Sequence, residues 1–442
     1  MHRGRAKASV LPVHRSSSSK RSSEEPKRIP ALAYIAACFA IGVLIGKTLR
    51  PETLRAEMAE FTPAAPAAAE MAEHAPDAPA AAAPSRVETQ KKLDPRVYAF
   101  YYAWYQNPAT DGLWAHWNHK HLDHWDAAVR AKYPPFVHDP EKRDVGASFF
   151  PALGAYSSAD DAIIEKHFAQ LRKAKIGVAV VSWYPPGKRD ANGPEVDGLV
   201  KRLLAAAARF GLELCLHLEP WEGRTAAAQL QDVAYAVRTY GAHEAYHKID
   251  GRCVFFAYDS YQLAARDWRA ARTAANDGAF LVALALESKH VNDYVGGPGG
   301  FDGAYSYFGA TGFTQASNPS SWKGLVALAS SKGGLFVPCV APGYDDLRVR
   351  PWNDANSRGR EAGAYYDRSW RAAIESGAAR VAVTSFNEWH EGTQIETAAA
   401  AFTPDRPGVT TYLAYPSPEF YLTKTAAWVE EFVAARRRAG VG

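Results

Sequence analysis

From Pro95 onward, short apolar runs alternate with longer stretches that place apolar side chains at helical spacing. The runs cover 97–102, 177–183, 212–218, 252–258, 280–286, 303–308, 335–340 and 380–386. Several, such as VAVV at 178–181 and LVALAL at 281–286, are apolar at both alternating positions. That pattern predicts parallel strands covered on both faces. In the stretch 158–175, Ile163, Ile164, His167, Phe168 and Leu171 form one apolar stripe. Ser158 stands at its start, Asp160 and Asp161 in its first turn, and Lys173 and Lys175 near its end. This order predicts a helix capped by Ser158 with charges matched to its dipole. Further helices are predicted at about 194–210, 225–240, 261–276, 319–331, 360–377 and 418–438.

Eight strands alternating with helices over 95–442 predict an α/β fold, a (β/α)8 TIM barrel. An open doubly wound sheet is the alternative. It needs a Gly-rich phosphate turn after its first strand, and YYAWYQNP has none. The segment 103–157 is long for one connection and is expected to cover the barrel mouth.

The chain before the barrel reads differently. Residues 29–46, IPALAYIAACFAIGVLIG, carry no charge over 18 positions, the lower edge of a membrane span. Lys20, Arg21, Lys27 and Arg28 precede them. By the positive-inside bias, 1–28 is expected to be a basic cytoplasmic tail and 29–46 a transmembrane signal anchor. A cleaved signal peptide is the competing reading, disfavoured by the long basic region and the length of the apolar run. Residues 47–94 are rich in Ala and Pro and predict a low-complexity lumenal stalk. This layout is that of a single-pass type II protein of the Golgi membrane, with 95–442 in the lumen.

Charge sharpens the picture. Residues 1–28 hold eight Lys or Arg and two Glu, against a net +4 for the whole chain, so the remainder is slightly acidic. No nucleic-acid partner is expected of such a chain. The 12 Trp and 22 Tyr suit stacking on sugar rings as well as core packing. Cys38, Cys215, Cys253 and Cys339 make no CxxC pair or zinc spacing and read as free thiols.

Barrels carry their chemistry at the C-terminal ends of the strands. Here those ends hold Tyr101; Trp183 and Tyr184; His217, Glu219 and Trp221; Tyr258 and Asp259; Glu287; Tyr305 and Tyr307; and, after strand eight, FNEWHEGTQIE at 386–396. The ring reads as an aromatic-lined acidic pocket. Glu388 and Glu391 are three apart and share one face of a helical turn. Burial and mutual repulsion would raise one pKa, as a general acid acting on a glycosidic bond needs. On these residues alone a solvated acidic loop stays open, as does a metal site around His390. The second lacks an HExxH motif or a third ligand at a telling spacing.

The stretches YAFYYAWY (98–105), FFPALGAYSS (149–158), IGVAVVSWYPPG (176–187), HLEPWEGRT (217–225), YHKIDGRCVFFAYDSY (246–261) and TSFNEWHEGTQIE (384–396) resemble glycoside hydrolase family 99, and within it the eukaryotic Golgi branch. The resemblance spans about 95–435. It implies a (β/α)8 fold, no metal or other cofactor, and retaining endo-α-1,2-mannosidase activity. The substrates it implies are glucosylated high-mannose N-glycans on glycoproteins, cut to release Glc1–3-Man. By matching position, Glu388 and Glu391 are the catalytic pair. Glu388 would deprotonate the sugar 2-OH to form a 1,2-anhydro sugar, and Glu391 would protonate the leaving oxygen and then activate water. The 2-OH and leaving group of an α-mannoside lie on opposite faces, so internal attack is within reach. An enzyme carboxylate as nucleophile is the alternative. Tyr184 matches a contact in subsite −2 that favours glucose, and Glu219 a hydroxyl binder. Trp183, Tyr101, His217, Tyr258 and Tyr307 are further candidate substrate contacts. A mannan-active endo-mannosidase and a non-catalytic glycan-binding barrel are the competing functions.

Overall fold

The computed structural model describes residues 90–440. The strands are β1 (Val97–Tyr101), β2 (Val178–Trp183), β3 (Glu213–Leu218), β4 (Arg252–Ala257), β5 (Ala279–Leu284), β6 (Gly303–Tyr305), β7 and β8 (Val381–Val383). Strand β7 is two short pieces, Leu335–Val337 and Cys339–Val340, on either side of Pro338. Proline lacks the N–H that a continuous ladder needs. The first piece pairs with β6 and the second with β8, while β8 also pairs with β1. All neighbours around the ring are parallel; only Lys248–Ile249 adds an antiparallel arm beside β4. The result is a near-closed parallel barrel.

A helix follows every strand: α1 (Asp161–Lys173), α2 (Val200–Arg209), α3 (Ala226–Tyr240), α4 (Ala265–Ala270), α5 (Ser288–Tyr294), α6 (Trp322–Ser331), α7 (Ala364–Glu375) and α8 (Phe420–Arg438). The cap of α1 is Asp160, whose carboxylate accepts the Ala162 N–H, rather than Ser158. Ser158 instead accepts the Tyr105 N–H. The helix expected over 261–276 shrinks to six residues between two 3-10 turns. Helix α5, at seven residues, is too short to show a periodic stripe and was not expected.

The strands alternate their side chains between barrel interior and helical layer. Phe100, His217, Phe256 and Tyr305 meet inside the barrel, with ring centroids 4.9–5.8 Å apart for Phe100 against the other three. They plug the barrel and form a floor. Two residues further along the same strands, on the same inward phase, stand Tyr102, Glu219, Tyr258 and Tyr307.

The membrane expectation is corrected. The tail (1–28), the span (29–46) and residues 47–89 of the stalk lie outside the described residues. Among the described residues, no helix is long and apolar enough to cross a membrane. The longest, α8, has 19 residues but carries Lys424, Glu430, Glu431 and Arg436–Arg438. The anchor, the membrane partner and the type II Golgi-membrane location therefore find no support in the fold and are withdrawn.

Candidate active site

The loop after β8 is built from the back. Asn387 is fully buried. Its Oδ1 accepts the Tyr102 N–H at 2.7 Å, and its Nδ2 donates to the Tyr102 carbonyl at 2.9 Å. One side chain thus satisfies both backbone groups at the end of β1, where no strand partner remains. Glu388 follows, its N–H donating to Ser385 Oγ at 2.7 Å and its Oε1 accepting the His390 N–H at 3.1 Å. The Glu391 carbonyl accepts the Asp345 N–H at 2.8 Å. Gly392 sits at φ 59°, and a Cβ there would stand 2.7 Å from the Asp345 carbonyl oxygen. That contact keeps the turn after Glu391 closed to any larger residue. Asn387→Ala should strand two buried backbone groups and destabilise the fold by about 3 kcal/mol. A denaturant midpoint within error of wild type would contradict this account of the loop.

Both glutamates open onto a cavity of about 230 Å³. Its wall includes Tyr102, Glu219, Tyr258 and Tyr307, the inward residues above the barrel floor, together with His217 of the floor itself. The segment 103–157 does cover the mouth, supplying Trp104, His116, His119 and Leu122. Trp104 stacks on His116 with centroids 4.2 Å apart. His116 in turn reaches His390 at 3.3 Å and Asp190 at 3.3 Å. On the third strand, Glu219 Oε1 accepts from Ser182 Oγ at 2.8 Å and lies 3.2 Å from His217 Nδ1.

The carboxylates are electrostatically unusual. Burial, and then the neighbouring Glu391, push Glu388 well above the ordinary carboxylate range. Burial raises Glu391 to about 7; the Arg350 guanidinium opposes the rise, and Asp346 and Glu219 add to it. Glu391 Oε2 is buried with no hydrogen-bond partner. The two carboxyl groups disfavour ionising together, because burial penalises each charge and each raises the cost of the other. Burial also holds His390 well below its usual range and His119 at about 3, so both face the site as neutral rings. Among the described residues, no group of three or more His, Cys, Asp or Glu is arranged to hold a metal ion.

Two expected contacts fall elsewhere. Tyr101 is adjacent to the inward Phe100 and Tyr102, so it points outward. There it stacks on Phe386, and its hydroxyl lies 2.9 Å from His167 Nδ1 on α1. Trp183 follows the inward Ser182, faces the helical layer and donates to Asp197 at 2.8 Å. Neither is among the residues that line the cavity. Tyr184 is buried and is not among the residues lining the cavity; burial, then Glu219 and Asp190, raise its hydroxyl. Sequence reasoning missed Tyr102, Trp104, His116, His119, Asp190 and Arg350. Only Tyr102 had a signal, the phase of β1; the rest come from loops.

A parallel barrel that gathers two buried carboxyl groups of raised pKa in an aromatic cavity at its strand ends has the make-up of a glycosidase. The chain belongs to glycosyl hydrolase family 99, which it matches over residues 92–434. It is 40% identical over 367 residues to the glycoprotein endo-alpha-1,2-mannosidase of Mus musculus, covering 79% of this chain and 78% of that one. It is 38% identical over 353 residues to the human glycoprotein endo-alpha-1,2-mannosidase-like protein, covering 76% of each. The solved GH99 endo-alpha-mannosidase of Bacteroides thetaiotaomicron matches with a TM-score of 0.70 at 38% identity, over 78% of this chain and 99% of that one. The chain is accordingly a glycosidase.

Proposed function

We propose that residues 95–442 form a retaining endo-α-1,2-mannosidase that acts on glycoprotein glycans and releases Glc1–3-Man from glucosylated high-mannose arms. The observation that carries this reading is the Glu388–Glu391 pair, two buried carboxyl groups with raised pKa values on one cavity. Such a pair can present one acid and one base at the same time. In the proposed reaction Glu388 takes the proton of the sugar 2-OH, whose oxygen attacks the anomeric carbon from the face opposite the leaving group. Glu391 gives its proton to the leaving oxygen. Glu391 then deprotonates water, which opens the 1,2-anhydro ring, and Glu388 returns the proton to the 2-oxygen. Two inversions give net retention. Glu219, His217, Tyr258 and Tyr307 supply hydroxyl partners and ring faces around the sugar. The names of the similar mouse and Bacteroides proteins support the mannosidase class.

The test is product analysis. The full chain, incubated with an end-labelled Glc1Man9 glycan, should release the glucosyl-α-1,3-mannose disaccharide, with the α-anomer seen first by NMR. Release of single sugars, or binding without cleavage, would overturn the reading. Tyr184 supports the preference for glucose. Tyr184→Trp should shift the ratio of kcat/KM for glucosyl-mannose over mannosyl-mannose substrates by about tenfold toward mannose. An unchanged ratio would remove Tyr184 from the specificity argument.

A further inference from the structure

Glu396 closes the FNEWHEGTQIE stretch and has no part in the proposed chemistry. It is fully buried, and its carboxylate lies behind the loop, outside the cavity wall. Its Oε2 accepts from the Trp389 indole N–H at 2.9 Å and from the Tyr156 hydroxyl at 2.8 Å. Its Oε1 lies 3.3 Å from His167 Nε2. The other ring nitrogen of His167 meets the Tyr101 hydroxyl at 2.9 Å. His167 Nε2 and Glu396 Oε1 are close, but neither has a hydrogen-bond partner.

What hangs on this carboxylate is the backbone that carries both catalytic candidates. Trp389 is fully buried and stands between Glu388 and Glu391 in sequence. Its backbone N–H donates to the Tyr105 hydroxyl at 3.1 Å, which itself donates to the Asn387 carbonyl at 2.9 Å. Tyr156, the second donor to Glu396, also accepts from Asn387 Nδ2 at 3.3 Å. So the residues on either side of Glu388 both trace back to one buried anion.

We propose that Glu396 is a positioning residue: through Trp389 and Tyr156 it fixes the direction in which Glu388 and Glu391 enter the cavity. A carboxylate serves better than a neutral group here. Charge-assisted hydrogen bonds are shorter and stronger, and they gain further in a low-dielectric interior. A buried carboxylate is tolerable only with such partners, and here they are the two donors to Oε2, the Trp389 indole and the Tyr156 hydroxyl. Tyr101 stands at the outer edge of the same cluster, against His167.

The inference rests on the glycosidase reading of Glu388 and Glu391. The experiment is a double-mutant cycle in the full chain: Glu396→Gln, Trp389→Phe and the pair, with kcat and KM on the Glc1Man9 glycan and thermal melts for each. Glu396→Gln keeps the volume and one acceptor oxygen. It should lower kcat by about 50-fold with KM changed less than about threefold, since a misplaced catalytic group loses rate before binding. Trp389→Phe should give a similar loss, and the double variant should be no slower than Trp389→Phe alone. Tyr156→Phe, which leaves the carboxylate and one of its donors in place, should lower kcat by about fivefold and serves if Glu396→Gln does not fold. Multiplicative losses in the cycle, an unchanged kcat in either Glu396→Gln or Tyr156→Phe, or losses matching only the unfolded fraction would overturn the proposal. A wild-type chain that leaves the glycan intact would overturn the functional reading and this inference together.

Discussion

Glu391→Gln should fold and turn over glucosylated mannose substrates about 10³-fold more slowly than wild type. The amide keeps the shape but has no proton to give at the glycosidic oxygen. Burial raises Glu391 to about 7, with Arg350 opposing and Asp346 and Glu219 adding to the rise. That value leaves the acid form substantially populated near neutrality. The wild-type rate should therefore fall on the alkaline side as pH rises through about 7, and this limb should be absent from the residual rate of the variant. Wild-type stability should fall over the same range. The folded pKa lies above the unfolded one, so the contribution of Glu391 is fully present below about 4.5 and is lost as pH rises through about 7. Gln carries no such dependence. At pH 8 the variant should be the more stable by on the order of 2 kcal/mol, after a discount for partial exposure and coupling. At pH 4 the difference should vanish. Thermal melts at the two pH values check this, and a variant with wild-type turnover would remove Glu391 from the acid role.

The strand pattern was legible because burial on both faces leaves continuous apolar runs: seven of the eight observed strands lie within the expected ranges, and β5 starts one residue early, at Ala279. Strands β6 and β8 keep only three residues each, since the polar residues that follow turn into the site. The loop of strand eight was legible from its composition. The outward placement of Tyr101 and Trp183 was itself legible: alternation within β1 and β2 sets them one residue off the inward phase. His116, His119, Asp190 and Arg350 offered no such signal. They sit on connections whose path is set by contacts such as the Asp144 cluster, where His138, Arg348 and Arg406 converge on one buried carboxylate. His116 even adopts φ 61°, a conformation no periodicity announces. The apolar run at 29–46 lies outside the described residues, 90–440, so its length and hydropathy meet no structural counterpart there.

Glu388→Gln should be as damaging as the change at Glu391, about 10³-fold in kcat, but for a different reason. Glu388 is held from both ends, by Ser385 Oγ at its N–H and by the His390 N–H at Oε1. Burial and the adjacent Glu391 push its pKa up strongly, so as a carboxylate it is a stronger base than an exposed one. An immobile carboxylate suits abstraction of a sugar 2-OH proton and equally an attack on the anomeric carbon, so its position alone serves either role. The two roles separate on a 2-deoxy-2-fluoro-α-mannosyl donor, which has no 2-OH. With Glu388 as nucleophile, wild-type protein should gain one glycosyl mass and hold it, because fluorine slows hydrolysis of the ester. With Glu388 as base, no adduct should form and the donor should stay intact. Intact-protein mass spectrometry reads the difference. An added glycosyl group on a peptide containing Glu388 would replace the anhydro-sugar route with a covalent one while leaving Glu391 as the acid.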